Sequence, residues 1–166
     1  MSSRKAMVFW GCVLMSLLIV PMAQAQRISI PPGAFRSFSD AQYDLTIEGW
    51  GTSVVKNTII SSLIAPVFLP DGAIIKNIRV MYLDNTVTFM QVWLCRVNMF
   101  TELKEDIFDV TSSGQSASIR SMVDSSCPIP AWRLVNNGAC QYFVRVHFDS
   151  CDTSVLKLYG ISIEYQ

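Results

Sequence analysis

Apolar and polar residues alternate along residues 140–148, with Cys140, Tyr142, Val144, Val146 and Phe148 on one phase and Gln141, Arg145 and His147 on the other. A two-residue period marks a strand with one face buried, and only Phe143 breaks it. The next run holds Leu156 and Leu158 on one phase, then Ile161, Ile163 and Tyr165 on the opposite one, with the change at Tyr159-Gly160. One extra residue in a strand flips every later side chain, so a β-bulge at Gly160 keeps this apolar set facing inward throughout. The two runs together are expected to form a long closing β-hairpin over residues 139–165, with Tyr165 in the core.

The same reading extends upstream. Arg27-Ile28-Ser29-Ile30 is short, alternating and stopped by Pro31-Pro32-Gly33, which suits an edge strand. Tyr43, Leu45 and Ile47 alternate ahead of a Gly49-Trp50-Gly51 corner, and residues 63–69 form a strand whose Pro66 belongs at a sheet edge or bulge. Pro70-Asp71-Gly72 is a turn, because proline presets its φ and glycine accepts a positive one. It launches a long strand with Ile78, Val80 and Tyr82 on one face, which Asp84-Asn85 then turns into residues 86–97. There both faces are apolar: Met90, Val92 and Leu94 on one, Phe89, Trp93 and Cys95 on the other. Such a strand is covered on both sides, the second cover being a loop, a disulfide or another subunit. Residues 98–110 read as one short helical turn followed by strand and loop. Ser112-Ser113-Gly114 is a turn, residues 116–123 a small-residue strand, and residues 124–138 a loop pinned by Cys127, Pro128, Pro130 and Trp132. About eight to ten strands spaced by turns, with no internal repeat, predict an all-β, single-domain antiparallel β-sandwich of jelly-roll type.

Several of these segments carry a pattern. Residues 65–73 (APVFLPDGA), the strand and turn at 78–85 (IRVMYLDN), Val110-Thr111-Ser112-Ser113-Gly114 and the closing residues 158–165 (LYGISIEY) belong to it. Together they resemble a group of small, secreted, mostly uncharacterised bacterial β-sandwich proteins, with a P-x-G-A turn, a V-x-Y-x-D strand and a terminal L-x-G-x-x-I-x-Y strand. The resemblance covers most of residues 60–166. It implies a secreted β-sandwich and brings no ligand, reaction or catalytic residue with it, and the cysteines stand outside the pattern.

Composition adds the compartment. Arg4 and Lys5 precede an uncharged stretch at residues 6–22, and Ala23-Gln24-Ala25 then forms an A-x-A site ahead of Gln26. This is a secretory signal peptide, residues 1–25, with cleavage expected near Ala25-Gln26 and a β-sandwich domain at residues 26–166. The apolar stretch falls short of the roughly 20 residues that a spanning helix needs, and Pro21 interrupts it. No integral membrane segment is therefore expected after cleavage, and the protein is expected to be secreted or periplasmic. Cleavage would leave eleven basic against thirteen acidic residues and no basic tract, which argues against a nucleic-acid partner. A chain so poor in charge either buries an unusual share of its surface or pairs with copies of itself.

Cys95, Cys127, Cys140 and Cys151 lie beyond the signal, and an even number in an exported chain implies two disulfides, with three pairings open. A continuous strand over residues 140–148 spans roughly 26 Å, which sets Cys140 far from Cys151. The favoured set is Cys127–Cys140 with Cys95–Cys151; the rival is Cys95–Cys140 with Cys127–Cys151. No C-x-x-C spacing exists to bind a metal.

Candidate chemistry is sparse. His147, the only histidine, lies opposite the buried phase, and no G-x-S-x-G elbow is present. Asp44 with Glu48 and Asp106 with Asp109 are carboxylate pairs of the kind glycoside hydrolysis uses, each in a segment where acidic residues also read as solvated surface. Asp149 and Asp152 bracket the turn at Cys151 and are candidate calcium ligands; no other cofactor is indicated. Trp50 and Trp132 lie beside glycine or proline in loop-like segments, where they either stack on sugar rings or plug the ends of the sandwich. Phe89 and Trp93 mark a patch that pairs with another chain or lies beneath a loop. The sequence thus points first to a non-enzymatic structural or interaction module that self-associates. A carbohydrate-binding, lectin-like module is the alternative, and a secreted hydrolase the third reading.

Overall fold

The computed structural model describes residues 24–37, 43–48, 51–56, 61–149 and 156–166, with segments 43–48 and 51–56 as backbone. Alternating apolar runs, broken by proline and glycine turns, fold into β1 (Gln26–Ile30), β2 (Arg36–Ser37), β3 (Tyr43–Glu48) and β4 (Gly51–Lys56). They continue as β5 (Ser61–Val67), β6 (Ile75–Asp84), β7 (Met90–Asn98) and β8 (Lys104–Thr111). β9 (Ser116–Asp124), β10 (Cys140–Phe148) and β11 (Leu156–Tyr165) complete them. Every pairing is antiparallel. A six-stranded sheet runs β3-β4-β11-β6-β9, with β1 also on β11, and a five-stranded sheet runs β2-β5-β10-β7-β8. The expected antiparallel sandwich is the fold. The eleven strands among the described residues exceed the eight to ten expected, because β2 and β4 were not legible as separate strands.

The alternation in β10 and β11 is as read: Cys140, Tyr142, Val144, Val146 and Phe148 are buried, and so are Leu156, Leu158, Ile161 and Ile163. The hairpin is not. β10 pairs with β5 and β7, whereas β11 pairs with β1, β4 and β6, so the two last strands are the middle strands of opposite sheets. Alternation reports that one face is buried and is silent on whether the next strand lies alongside or across the core. The turn at Asp84-Asn85 is a crossover for the same reason, since β6 and β7 belong to different sheets. Asp84 itself is fully buried: its Oδ2 accepts from Ser112 Oγ at 2.5 Å and its Oδ1 from the Thr86 N–H at 3.2 Å. Ser112 Oγ in turn accepts the Met90 N–H at 2.8 Å, which ties the crossover to the end of β8.

Residues 98–103 form a tight turn and not a helix. Asn98 Oδ1 accepts the N–H groups of Phe100 and Thr101, Glu102 takes a positive φ of 57°, and β8 begins at Lys104. Pro66 lies where β5 has β10 on one side only, because β2 pairs with β5 at Ile64 and Leu63 and stops.

The expected Cys127–Cys140 bridge is absent: both are free thiols. Cys140 faces the core, while Cys127 donates to the Ile129 carbonyl at 3.0 Å. Cys95 is a thiol as well, and the expected Cys95–Cys151 pairing falls outside the described residues because Cys151 does. The rival Cys95–Cys140 pairing fails on geometry. Cys140 stands on the inward phase of β10, and Cys95 pairs with Phe143 on the outward phase.

The bulge falls where it was read. The register of β11 against β6 shifts between Leu158 and Gly160, and Gly160 has a φ of 155°. A Cβ there would meet the Ile30 carbonyl oxygen at 3.7 Å, an ordinary contact, so the backbone angle and not space demands glycine. Gly160→Ala is expected to cost roughly 1–3 kcal/mol in urea denaturation, the range for a side chain forced into a glycine conformation. An unchanged midpoint would remove the bulge as a constraint.

Candidate functional site

The five-stranded sheet turns one face to the core and the other outward. Register places the outward residues in rows across the strands. Ser62, His147, Gln91 and Thr111 form one row on β5, β10, β7 and β8. The next holds Ile64, Arg145, Trp93 and Asp109, with Arg36 of β2 in register with Ile64. A third holds Pro66, Phe143, Cys95 and Asp106.

These side chains hold one another. The Arg145 guanidinium lies over the Trp93 ring, 5.2 Å from its centroid, and Ser62 Oγ accepts from Arg145 Nε at 3.1 Å and Nη2 at 3.0 Å. Gln91 Nε2 donates to both oxygens of Asp109 at 3.0 Å. Lys104 Nζ pairs with Asp106 at 2.7 Å, and the Cys95 thiol donates to the same carboxylate at 3.0 Å. Trp93, Phe143, Arg145, His147 and Gln91 are each half-buried. Apolar rings thus stand among polar groups whose positions are fixed by a central strand with neighbours on both sides. Part of the second side of β7 is covered by its own sheet, where the Arg145 side chain lies over Trp93.

Cys95 is buried in this row, and its thiol is pushed well up from the ordinary range, first by burial and then by the hydrogen bond and charge of Asp106. Tyr142, on the core side of β10, is also shifted up, chiefly by burial. A thiol held protonated in this way is a poor nucleophile.

Trp93 lies on the outward face, and Phe89, which precedes β7, is exposed. Asp149 ends β10 there, its N–H donating to the Phe89 carbonyl at 3.0 Å, while Asp152 lies outside the described residues. Among the described residues no group of three histidine, cysteine or acidic side chains is placed to hold a metal ion. Trp132 is elsewhere: it packs against the core near the start of β10, with the Arg96 guanidinium 5.4 Å from its ring centroid. That is the position of a plug. Trp50 lies outside the described residues, as do the side chains of Asp44 and Glu48. Sequence reasoning passed over Arg145, Gln91 and Ser62. The signal was an outward phase carrying arginine, glutamine and aromatics where a merely solvated strand has no need of rings.

The outer side of the six-stranded sheet has a recess of about 520 Å³ lined by Pro31, Arg79, Met81, Tyr159 and Ser162 among others, and it is the competing surface.

Several solved structures share this fold. Against the CBM22-1 and GH10 modules of an endo-1,4-β-D-xylanase from Clostridium thermocellum, complexed with xylohexaose, the TM-score is 0.58 at 14% identity. That match covers 82% of this chain and spans 27% of the length of the other. The xylan-binding module CBM15 gives 0.55 at 8% identity, covering 85% of this chain and 97% of that one. The C-terminal CBM6 of a laminarinase from Zobellia galactanivorans gives 0.51 at 14% identity, covering 83% and 98%. No protein-family model matches the chain, and no curated protein does. At these identities the likeness establishes the sandwich fold.

The buried thiol makes stability depend on pH. Above about 8.5 an unfolded thiol ionises while folded Cys95 stays protonated, so the unfolded chain binds fewer protons and stability falls as pH rises. Tyr142 adds to the same decline above about 10. Denaturation of Cys95→Ala is expected to show a flatter loss of stability than the parent between about pH 8.5 and 10. Parallel profiles would show that Cys95 is not shifted.

Proposed function

We propose that this chain is an exported, non-catalytic carbohydrate-binding module whose site is the outward face of the five-stranded sheet. The observation that carries the proposal is the row centred on Trp93 and Arg145. Rigid apolar rings match the faces of sugar rings, and fixed amide, carboxylate and guanidinium groups match their hydroxyls. The fold likeness supports it, since two of the three neighbours are described as complexed with xylohexaose or as xylan-binding. The two carboxylates of the face argue against hydrolysis: Asp106 is occupied by Lys104 and Cys95, and Asp109 by Gln91. This reading takes precedence over a self-associating structural role, for which Phe89 and Trp93 had been the expected seam.

Affinity electrophoresis of the purified protein through gels containing neutral or acidic polysaccharides tests it. Retardation by at least one polymer is expected. Trp93→Ala should weaken that binding about tenfold or more, equivalent to at least 1.4 kcal/mol, with an unchanged circular-dichroism spectrum. Tyr159→Ala, on the competing recess, should leave it intact. Mobility unaffected by every polymer would overturn the proposal, and sensitivity to Tyr159→Ala alone would move the site to the six-stranded sheet.

A further inference from the structure

The outward face of the five-stranded sheet continues past the rows around Trp93. On β5 the outward phase runs through Ile64 and Pro66 to Phe68, just beyond the strand, while Leu63, Ala65, Val67 and Leu69 are buried. Trp93 is half-buried with the Arg145 guanidinium over its ring, whereas Phe68 is 79% exposed. One exposed ring needs no explanation by itself. This one stands between two recesses. Toward β10 it borders a recess of about 550 Å³ that Asn137 and Gln141 also line. Toward β1 and β2 it borders another of about 490 Å³, with Ser29 in its lining. Pro66 borders both as well, so Pro66 and Phe68 form the ridge that separates them.

The ridge is apolar and its flanks are polar. Asn137 is held in place by its own bonds: Nδ2 donates to the Leu69 carbonyl at 2.9 Å, and its backbone N–H to Asp71 Oδ1 at 2.7 Å. Gln141 is exposed, and its amide has no hydrogen-bond partner among the described residues. Ser29 is exposed on the other flank. A flat ring suits the apolar face of a pyranose, and amide and hydroxyl groups beside it suit the hydroxyls at the edge. Other occupants fit less well. A polypeptide strand adding to the uncovered flank of β5 would meet Pro66, which has no N–H to offer. A lipid tail or a dry protein interface would bury these amides without partners, at a cost.

From this arrangement we propose that Phe68 is a platform on which one sugar ring stacks, and that the two recesses take the sugars before and after it. The bound unit is then an internal stretch of a polysaccharide and not a chain end, because the ridge has room for sugars on both sides. The inference rests on the carbohydrate-binding reading; it adds a contact residue at the edge of the same face and names the part of the polymer that is bound.

Calorimetric titration of the purified protein with soluble xylan, laminarin, dextran and polygalacturonate, then with oligosaccharides of the polymer that binds, tests the proposal. Affinity is expected to rise at least about tenfold from the disaccharide to the hexasaccharide. Phe68→Ala should weaken hexasaccharide binding about tenfold or more, and Phe68→Leu nearly as much, while Phe68→Trp retains it. The ring is exposed, so each variant should keep the parent's circular-dichroism spectrum. Parent affinity in Phe68→Ala, beside a loss in Trp93→Ala, would overturn the proposal and leave the carbohydrate reading standing. Equal affinity for disaccharide and hexasaccharide would overturn the internal-chain assignment. A dimer in light scattering that Phe68→Ala dissolves, with polysaccharide binding unchanged, would make the ridge a seam between copies and overturn it too. Binding to none of these polymers, nor to any in the wider panel, would remove the reading on which the inference rests.

Discussion

The structure depends on two apolar ladders meeting across one core. The inward side chains of β10 and β11 belong to a single buried cluster, and each ladder occupies the middle of its own sheet. Removing one large member of such a cluster costs on the order of 2–5 kcal/mol, a large share of the stability of any small domain. The strands placed outside them need supply only half a face each. That is why β2, two residues long, and β9, mostly exposed, are tolerated at the edges.

The same central placement explains the character of the outward face. β10 is hydrogen-bonded on both flanks, so Arg145, Phe143 and His147 project from backbone that cannot slide. Core packing on one side of the strand becomes positional precision on the other. Ser62 from β5 and Trp93 from β7 then fix the guanidinium from both neighbours, so three strands contribute to one group. A surface of this kind would lose little entropy on meeting a ligand, because its side chains are already ordered before contact.

Much of this was legible in the chain. Phase alone identified the inward sets of β10 and β11, the bulge at Gly160 and the turn at Pro70-Asp71-Gly72, since each follows from local geometry. Pairing partners were not legible. Alternation is identical for a strand beside its successor and one facing it, and so the closing hairpin and the turn at Asp84-Asn85 were both misread. The number of cysteines did not reveal which faces they occupy: Cys95 and Cys140 stand on opposite phases, which only the pairing of β10 with β7 shows. The candidate residues of the outward face were partly visible: Trp93 stood out as an aromatic on the wrong phase. Arg145 did not, because its meaning lies in stacking on a residue 52 positions earlier in the chain.

Pro66 has a consequence for behaviour in a crowd. Along β5 past Ile64 one flank has no strand beside it among the described residues, and an uncovered flank is a template on which another chain can add itself. Proline offers no N–H there, so an incoming strand would find a gap in the ladder at the place where it needs its first donor. Under the carbohydrate-binding reading, domains gathered on a single polymer would meet one another at high local concentration, where even feeble adhesion between them would be amplified. On that reading, a missing hydrogen atom on one ring nitrogen would let such neighbours sit side by side on a shared chain without zipping together along that edge.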